Sequence, residues 1–276
     1  AVFFIESEIW PNMIMKIKEK NIPLILLNAR ITKKSFKKWN SLPSFSKKIF
    51  NEFDLCLGQN NKTCNYLKIL GAKNIKKIGN LKFSQTISEL KNKSNDKIKR
   101  KFKKKKIIFS AISTHNGEEM FCGKVHAFLK KKYKNIITVI IPRHVNRANE
   151  IKDDLNSYNL KVHLHTSNKP VNIDTDIYLV DTFGETKSFL KLSKIAFMGK
   201  SIFAHGGQNP LEAARLGNRI IHGPNIENFT EVYDFIRKQG ISTKIMSAKD
   251  LENLIIKLYR KKNYSQQIIK KLAYTG

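Results

Sequence analysis

Acidic residues are scarce in this 276-residue chain, with 22 Asp and Glu against 52 Lys and Arg and a formal net charge of +30. That imbalance leaves two explanations. One is a polyanionic partner, either nucleic acid or an anionic membrane face. The other is coding bias, because lysine dominates arginine and Asn and Ile are also abundant, as AT-rich codons give. Bias covers most of the excess, and a basic surface beside anionic lipid covers the rest. Cysteine is also scarce. Cys56, Cys64 and Cys122 are odd in number and fit no zinc spacing, which points away from a disulfide framework or zinc site and toward reduced thiols. No apolar run is long enough to span a bilayer, and no signal peptide is visible.

What is present is a globular chain, 41% hydrophobic, long enough for one large α/β domain or two smaller ones. It opens without Met, directly on the buried-strand pattern Val2-Phe3-Phe4-Ile5. The expectation is a piece of a longer protein whose upstream segment is missing. Short apolar runs predict strands at 2–5, 23–28, 55–57, 75–79, 107–111, 136–141, 162–164, 177–180, 195–198 and 219–222. Amphipathic stretches such as 117–131 and 211–216 lie between them. This alternation predicts parallel sheets covered by helices on both faces. The segment Lys91 to Lys106 is almost wholly polar and basic and precedes a fresh strand. It reads as the end of one domain, giving expected domains of 1–98 and 99–276. A nucleic-acid patch is the rival reading, but Phe102 is its only aromatic residue.

Six segments follow predicted strands, where open α/β sheets place their ligands. Glu6-Ser7-Glu8-Ile9-Trp10-Pro11-Asn12 offers two carboxylates for acid–base or electrostatic work, or else a plain helix start with Pro near N1. Lys82, after Gly79-Asn80-Leu81, could neutralise a carboxylate or phosphate, or be one lysine among many. In Pro142-Arg143-His144 the forked guanidinium of Arg143 suits phosphate, while His144 is a base or only a loop residue. Asp181-Thr182-Phe183-Gly184-Glu185 is a turn whose backbone N–H groups could hold a phosphate or base edge, or an ordinary βα turn. In His205-Gly206-Gly207-Gln208-Asn209-Pro210-Leu211-Glu212, Asn209 reads as N-cap and Pro210 as N1. The glycines there allow close approach to a ligand, and Glu212 could accept bonds from ribose hydroxyls. Gly223 to Phe229 reads as a loop at the same place, and by itself is only a turn.

In this order and spacing the segments resemble the 3-deoxy-D-manno-octulosonic acid (Kdo) transferase family. The resemblance runs from Glu6 to about the end of the chain. It also takes in Asn28-Ala29-Arg30, Gly71-Ala72-Lys73, Ser113-Thr114-His115 and Gly117-Glu118-Glu119. It implies a GT-B fold, two Rossmann-like domains facing a cleft, with the N-terminal one incomplete here. It implies an inverting, metal-independent glycosyltransferase with no cofactor, moving Kdo from CMP-Kdo to the lipid A precursor lipid IVA in lipopolysaccharide biosynthesis. By residue matching, CMP would contact Pro142, Arg143, Phe183, Gly184, Glu185 and Asn209, Pro210, Leu211, Glu212. Glu6 and Lys82 match positions that stabilise the transition state.

The implied location is the cytoplasmic face of the bacterial inner membrane, beside anionic lipid, with no nucleic-acid partner. The family's general base, a Glu, and its membrane anchor are expected upstream of Ala1, so these residues alone are expected to transfer little. Two departures stand out: the family usually has His at the positions of Gln208 and Asn225. The rival readings are another GT-B enzyme with a different nucleotide sugar, or a basic nucleic-acid-binding protein showing salt-steep binding.

Overall fold

A computed structural model describes residues 1–81, 102, 106–259 and 268. The chain divides into two compact units, Ala1–Gln85 and Thr86–Gly276. The expected boundary at 98/99, the lysine run 103–105 and Lys82 lie outside the described residues.

The first unit is a four-stranded sheet in the order β1 (Val2–Ile5), β2 (Leu24–Ala29), β3 (Leu55–Gly58), β4 (Ile75–Lys77). Every pairing is parallel, as the alternation of strand and helix requires. The helices α1 (Pro11–Glu19), α2 (Lys33–Asn40), α3 (Pro43–Asn51) and α4 (Asn61–Leu70) fill the connections. Pro11 and Pro43 sit at helix starts, where a missing N–H costs nothing. Thr32 and Asn60 cap α2 and α4, accepting from Ser35 N–H (3.1 Å) and Thr63 N–H (2.8 Å). Ile14, Ile49, Phe50, Leu67 and Leu70 from the helices meet Phe4, Leu24 and Leu26 of the sheet in one core.

The second unit is a seven-stranded parallel sheet in the order β11-β10-β9-β5-β6-β8-β7. Its strands are β5 (Lys106–Thr114), β6 (Ile136–Pro142), β7 (Val162–Leu164), β8 (Ile177–Leu179), β9 (Ile195–Met198), β10 (Arg219–His222) and β11 (Ser242–Lys244). All seven residues of β6 are buried, as an apolar strand covered on both faces must be. The helices are α5 (Glu118–Lys132), α6 (Ala148–Ser157), α7 (Thr186–Leu192), α8 (Leu211–Arg215), α9 (Thr230–Lys238) and α10 (Ala248–Tyr259). The inward face of α5, Phe121, Val125 and Leu129, joins Ile140, Leu155, Phe197, Ile221 and Ile255 in the core. Lys130, Lys131 and Lys132 close α5 where its dipole favours cations.

Chain order reverses about β5, which pairs with β6 on one side and β9 on the other. In an open parallel sheet that reversal opens a crevice at the carboxyl ends of the two strands. By that rule the loops after β5 and β9 mark where a ligand of this unit would lie.

Every expected strand has a counterpart. β11 was not expected, since Ser242-Thr243-Lys244 carries no apolar run. No helix among the described residues is long and apolar enough to cross a membrane. All three cysteines are free thiols, and burial pushes the Cys56 thiol up to about 12.

Candidate functional site

Among the described residues, seven other than glycine have positive φ. Asn21, Asn135 and Asn159 are asparagines, which tolerate this region in turns. The other four are Glu6 (φ 57°), Asn28 (53°), Ser113 (52°) and Lys200 (57°), and all lie at carboxyl ends of strands. Backbone strain of this kind persists only where surrounding structure holds it, and it gathers at functional sites.

In the first unit three strand ends are tied together. Glu6 N–H donates to Leu27 C=O (3.0 Å), and Arg30 N–H donates to Glu6 C=O (3.1 Å). Asn28 bulges out of the β2–β3 register, where its C=O accepts Gln59 Nε2 (2.9 Å) and its Oδ1 accepts Leu81 N–H (3.1 Å). The chain leading into Lys82 is therefore anchored on Asn28. Glu6 and Glu8 precede α1 and stand outside its first turn, so the plain helix-start reading of these acids does not apply. Glu8 instead accepts Trp10 Nε1 (3.1 Å).

In the second unit the predicted segments all fall on the carboxyl side of the seven-stranded sheet. Pro142 ends β6 and is buried, while Arg143 and His144 are exposed beyond it. Arg143 N–H donates to Thr114 C=O (3.0 Å), joining the ends of β6 and β5. His144 rests edge-on against His115, with ring centroids 5.8 Å apart. Burial lowers the His115 pKa, and the neighbouring Lys200 and His144 charges lower it further.

Phe183 is 77% exposed beside Gly184 (φ 88°), and Glu185 is the N-cap of α7. Lys187 in α7 reaches Glu212 in α8 at 3.5 Å, which brings the fourth and fifth segments together.

The glycine segment follows β9. Gly207 (φ 70°) presses on Ile226, whose Cα would lie 2.9 Å from an added Cβ. A Cβ on Gly223 would overlap the Ser201 carbonyl. These contacts are backbone on backbone, and only glycine permits them.

The start of α8 corrects the sequence reading by one position. Pro210 is the N-cap (φ −86°), and Asn209 lies before it with Oδ1 accepting Leu211 N–H (3.1 Å). Asn209 closes a local turn on Leu211, an i to i+2 bond within reach of its short amide. With five residues, α8 is too short for its dipole to attract phosphate appreciably. Leu211 is 2% exposed, so its side chain belongs to the core, while Asn209 is exposed and Glu212 half-buried. The two departures have structural work. At Asn225 it is done by the side chain, whose Nδ2 donates to Ile202 C=O (3.0 Å), and at Gln208 only by the backbone, whose C=O accepts the Tyr233 hydroxyl (3.1 Å).

Sequence reasoning assigned no role to Glu118, which the fold makes the centre of this region. Its side chain is fully buried. Oε2 accepts the N–H groups of His115 (2.9 Å) and Lys200 (2.7 Å), and Oε1 accepts those of Ser201 (2.9 Å) and Ile202 (3.0 Å). The only signal was the Gly117-Glu118-Glu119 segment after a strand, which reads as an acidic first helical turn. The adjacent Glu119 carboxyl is raised by burial, against the pull of Arg147 at 3.3 Å. Among the described residues no group of three or more His, Cys, Asp or Glu could hold a metal ion.

The chain is similar to known proteins in sequence and in fold. Residues 1–85 match the family model of 3-deoxy-D-manno-octulosonic-acid transferase. The 3-deoxy-D-manno-octulosonic acid transferase of Haemophilus influenzae is 29% identical over 266 residues, 95% of this chain and 62% of that protein. The transferase of the same name from Rickettsia bellii is 32% identical over 252 residues, 91% of this chain and 60% of that protein. The chain thus spans about three-fifths of the length of these curated relatives.

Among solved structures, the C-terminal CMP-Kdo binding domain of WaaA from Acinetobacter baumannii matches with a TM-score of 0.59 and 20% identity. It covers 70% of this chain and 97% of that one. A UDP-N-acetylglucosamine 2-epimerase matches with a TM-score of 0.62 and 13% identity, covering 98% of this chain and 66% of that one. The fold is that of these nucleotide-sugar enzymes, two Rossmann-like units of the GT-B class.

Proposed function

From the kinship of this chain with the Kdo transferases, we propose that the protein carrying it is an inverting glycosyltransferase that moves Kdo from CMP-Kdo to the lipid A precursor. The observation that carries the reading is the alignment with transferases of that name over nine-tenths of the chain. The geometry supports it, because Arg143, Gly184 and the Gly206–Glu212 segment all follow strands on the carboxyl side of one parallel sheet.

CMP lies across this side of the second unit, with Arg143 on its phosphate and the 183–185 turn and Asn209–Glu212 around the nucleoside. The acceptor hydroxyl oxygen attacks C2 of Kdo, its proton passes to a general base, and the bond from C2 to the phosphate oxygen breaks as CMP departs. Positive charge grows on the sugar ring in the transition state, and Glu6 stabilises it. Lys82 and Arg143 balance the sugar carboxylate and the leaving phosphate. The part of the +30 charge that coding bias does not cover suits a protein working against anionic lipid at the cytoplasmic face of the inner membrane.

The test is a donor comparison with the full-length protein and lipid IVA. Transfer is expected from CMP-Kdo and not from UDP-sugars. Transfer from a UDP-sugar with none from CMP-Kdo would replace this reading with that of another GT-B enzyme.

A further inference from the structure

A buried ionised carboxylate has room for about four hydrogen bonds and needs them filled. Glu118 receives four, all from backbone N–H groups at 2.7–3.0 Å. Nothing remains on it to touch a substrate, so it is not a catalytic residue. What it holds is informative. One donor, His115, follows β5, and three consecutive donors, Lys200, Ser201 and Ile202, follow β9. These are the two strands at which chain order reverses, and Glu118 bridges their loops across 82 to 84 residues of sequence.

The bridge continues into the glycine segment. Lys200 gives its N–H to Glu118 and takes the Gly207 N–H on its C=O (3.0 Å), with its own φ held at 57°. Gly206 N–H is taken by Glu227 (2.8 Å), and Gly206 C=O receives Asn228 N–H (3.0 Å). Ser201 Oγ donates to Met198 C=O (2.6 Å) and accepts Gly223 N–H (2.9 Å). The route is therefore short: the Glu118 carboxylate holds Lys200 N–H, and Lys200 C=O holds the N–H of Gly207, which adjoins Gln208 and Asn209. A loop rich in glycine loses much entropy on ordering, and a loop ordered in advance spares the ligand that cost.

We propose that Glu118 is a positioning residue for the donor site, fixing the 200–202 turn and through it the Gly206–Asn209 segment in the nucleotide-binding conformation before the nucleotide arrives. This rests on the reading of the second unit as the CMP-sugar side. It predicts that neither conservative change substitutes for Glu118. Glutamine turns an NH2 group toward two buried N–H donors, and aspartate is one methylene too short to span both loops.

Glu118→Gln and Glu118→Asp in the full chain should raise KM for CMP-Kdo at least tenfold. The kcat at saturating donor should stay within about threefold and KM for lipid IVA unchanged. Loss of folded enzyme alone would lower kcat and leave both KM values in place, and that result would overturn the proposal. A wild-type protein inactive with CMP-Kdo would instead overturn the functional reading.

Should both variants fail to fold, amide hydrogen exchange on the wild type decides. The N–H groups of His115, Lys200, Ser201, Ile202, Gly206 and Gly207 should all be protected without nucleotide, and added CMP should change them little. Fast exchange at 200–202 that slows only with CMP would show an induced loop, contrary to the proposal.

Discussion

Asp54 in the first unit and Asp176 in the second stand at the same point of the construction, one residue ahead of β3 and β8. Each accepts the backbone N–H at the start of a neighbouring strand, Leu24 to Asp54 at 2.7 Å and Lys161 to Asp176 at 3.0 Å. Each pairs with a lysine from the sheet's first helix, Lys18 at 3.1 Å and Lys130 at 2.7 Å. Both carboxyl groups are held below their ordinary range. The carboxyl ends repeat as well, since Asn28 and Ser113 each make a left-handed bulge in a strand register.

What differs is depth. Asp54 has 49% of its side chain exposed and Asp176 has 2%, with fully buried His126 Nε2 at 3.4 Å as a further partner. Breaking the staple should cost little in one unit and much more in the other, because solvent screens the first carboxylate and not the second.

Asp176→Asn gives the largest effect expected of this comparison. The amide directs an NH2 group toward His126 or Lys130 and leaves a buried network half satisfied, at a cost of about 3 kcal/mol. Denaturant unfolding at neutral pH measures it, and a loss below about 1 kcal/mol would mean that depth is not what separates the two staples. Acid offers a second view. Burial by itself would raise Asp176, but the hydrogen bonds from His126 and Lys130 outweigh it and the net shift is downward. A depressed carboxyl stabilises the fold above its unfolded value, about 3.9, and that contribution is lost as pH falls from there through the folded value. The wild type should therefore weaken below about pH 4, and Asp176→Asn should remove the share of that slope that Asp176 carries.

The carboxyl ends extend the contrast to activity. Glu6 and Glu118 both follow a strand in a paired-carboxylate segment, and in sequence they look alike. Glu118 spends its oxygens on four backbone N–H groups, whereas Glu6 is pinned through its own N–H and C=O. Glu6→Gln leaves those backbone bonds intact. If Glu6 stabilises transition-state charge, turnover should fall about 100-fold, near 2.7 kcal/mol of barrier, with little change in CMP-Kdo affinity. Unchanged turnover would remove Glu6 from the machinery and leave both glutamates as positional.

This contrast marks how far the sequence could be read. The parallel strands were legible because each is a short apolar run between amphipathic stretches, and their carboxyl ends located Arg143, Gly184 and Asn209 on one side of a sheet. Ser242–Lys244 escaped because a polar three-residue strand is defined by its neighbour β10 and not by its own pattern. Asn209 was placed one position late in the helix because its amide closes a turn on Leu211, a choice that local composition does not settle. Glu118 was invisible as a staple because three of its four partners lie more than 80 residues away. In sequence a Glu in a first helical turn looks the same whether it meets solvent or four N–H groups.

The smallest effect belongs to Asp54→Asn. The amide oxygen still accepts Leu24 N–H, so what is lost is the pair with Lys18, at a half-exposed position. An exposed pair of this kind is worth less than about 1 kcal/mol, and salt near 1 M, with a screening length of about 3 Å, should remove most of it. Double-mutant cycles put both staples on one scale, Lys18→Met with Asp54→Asn and Lys130→Met with Asp176→Asn. The first coupling should be small and vanish in salt, and the second larger and salt-resistant. Lys130 is itself half exposed, so the excess in the second cycle must come from the buried carboxylate and not from a drier lysine. Equal couplings would mean that His126 and the backbone donors already satisfy Asp176, leaving its lysine as superficial as that of Asp54.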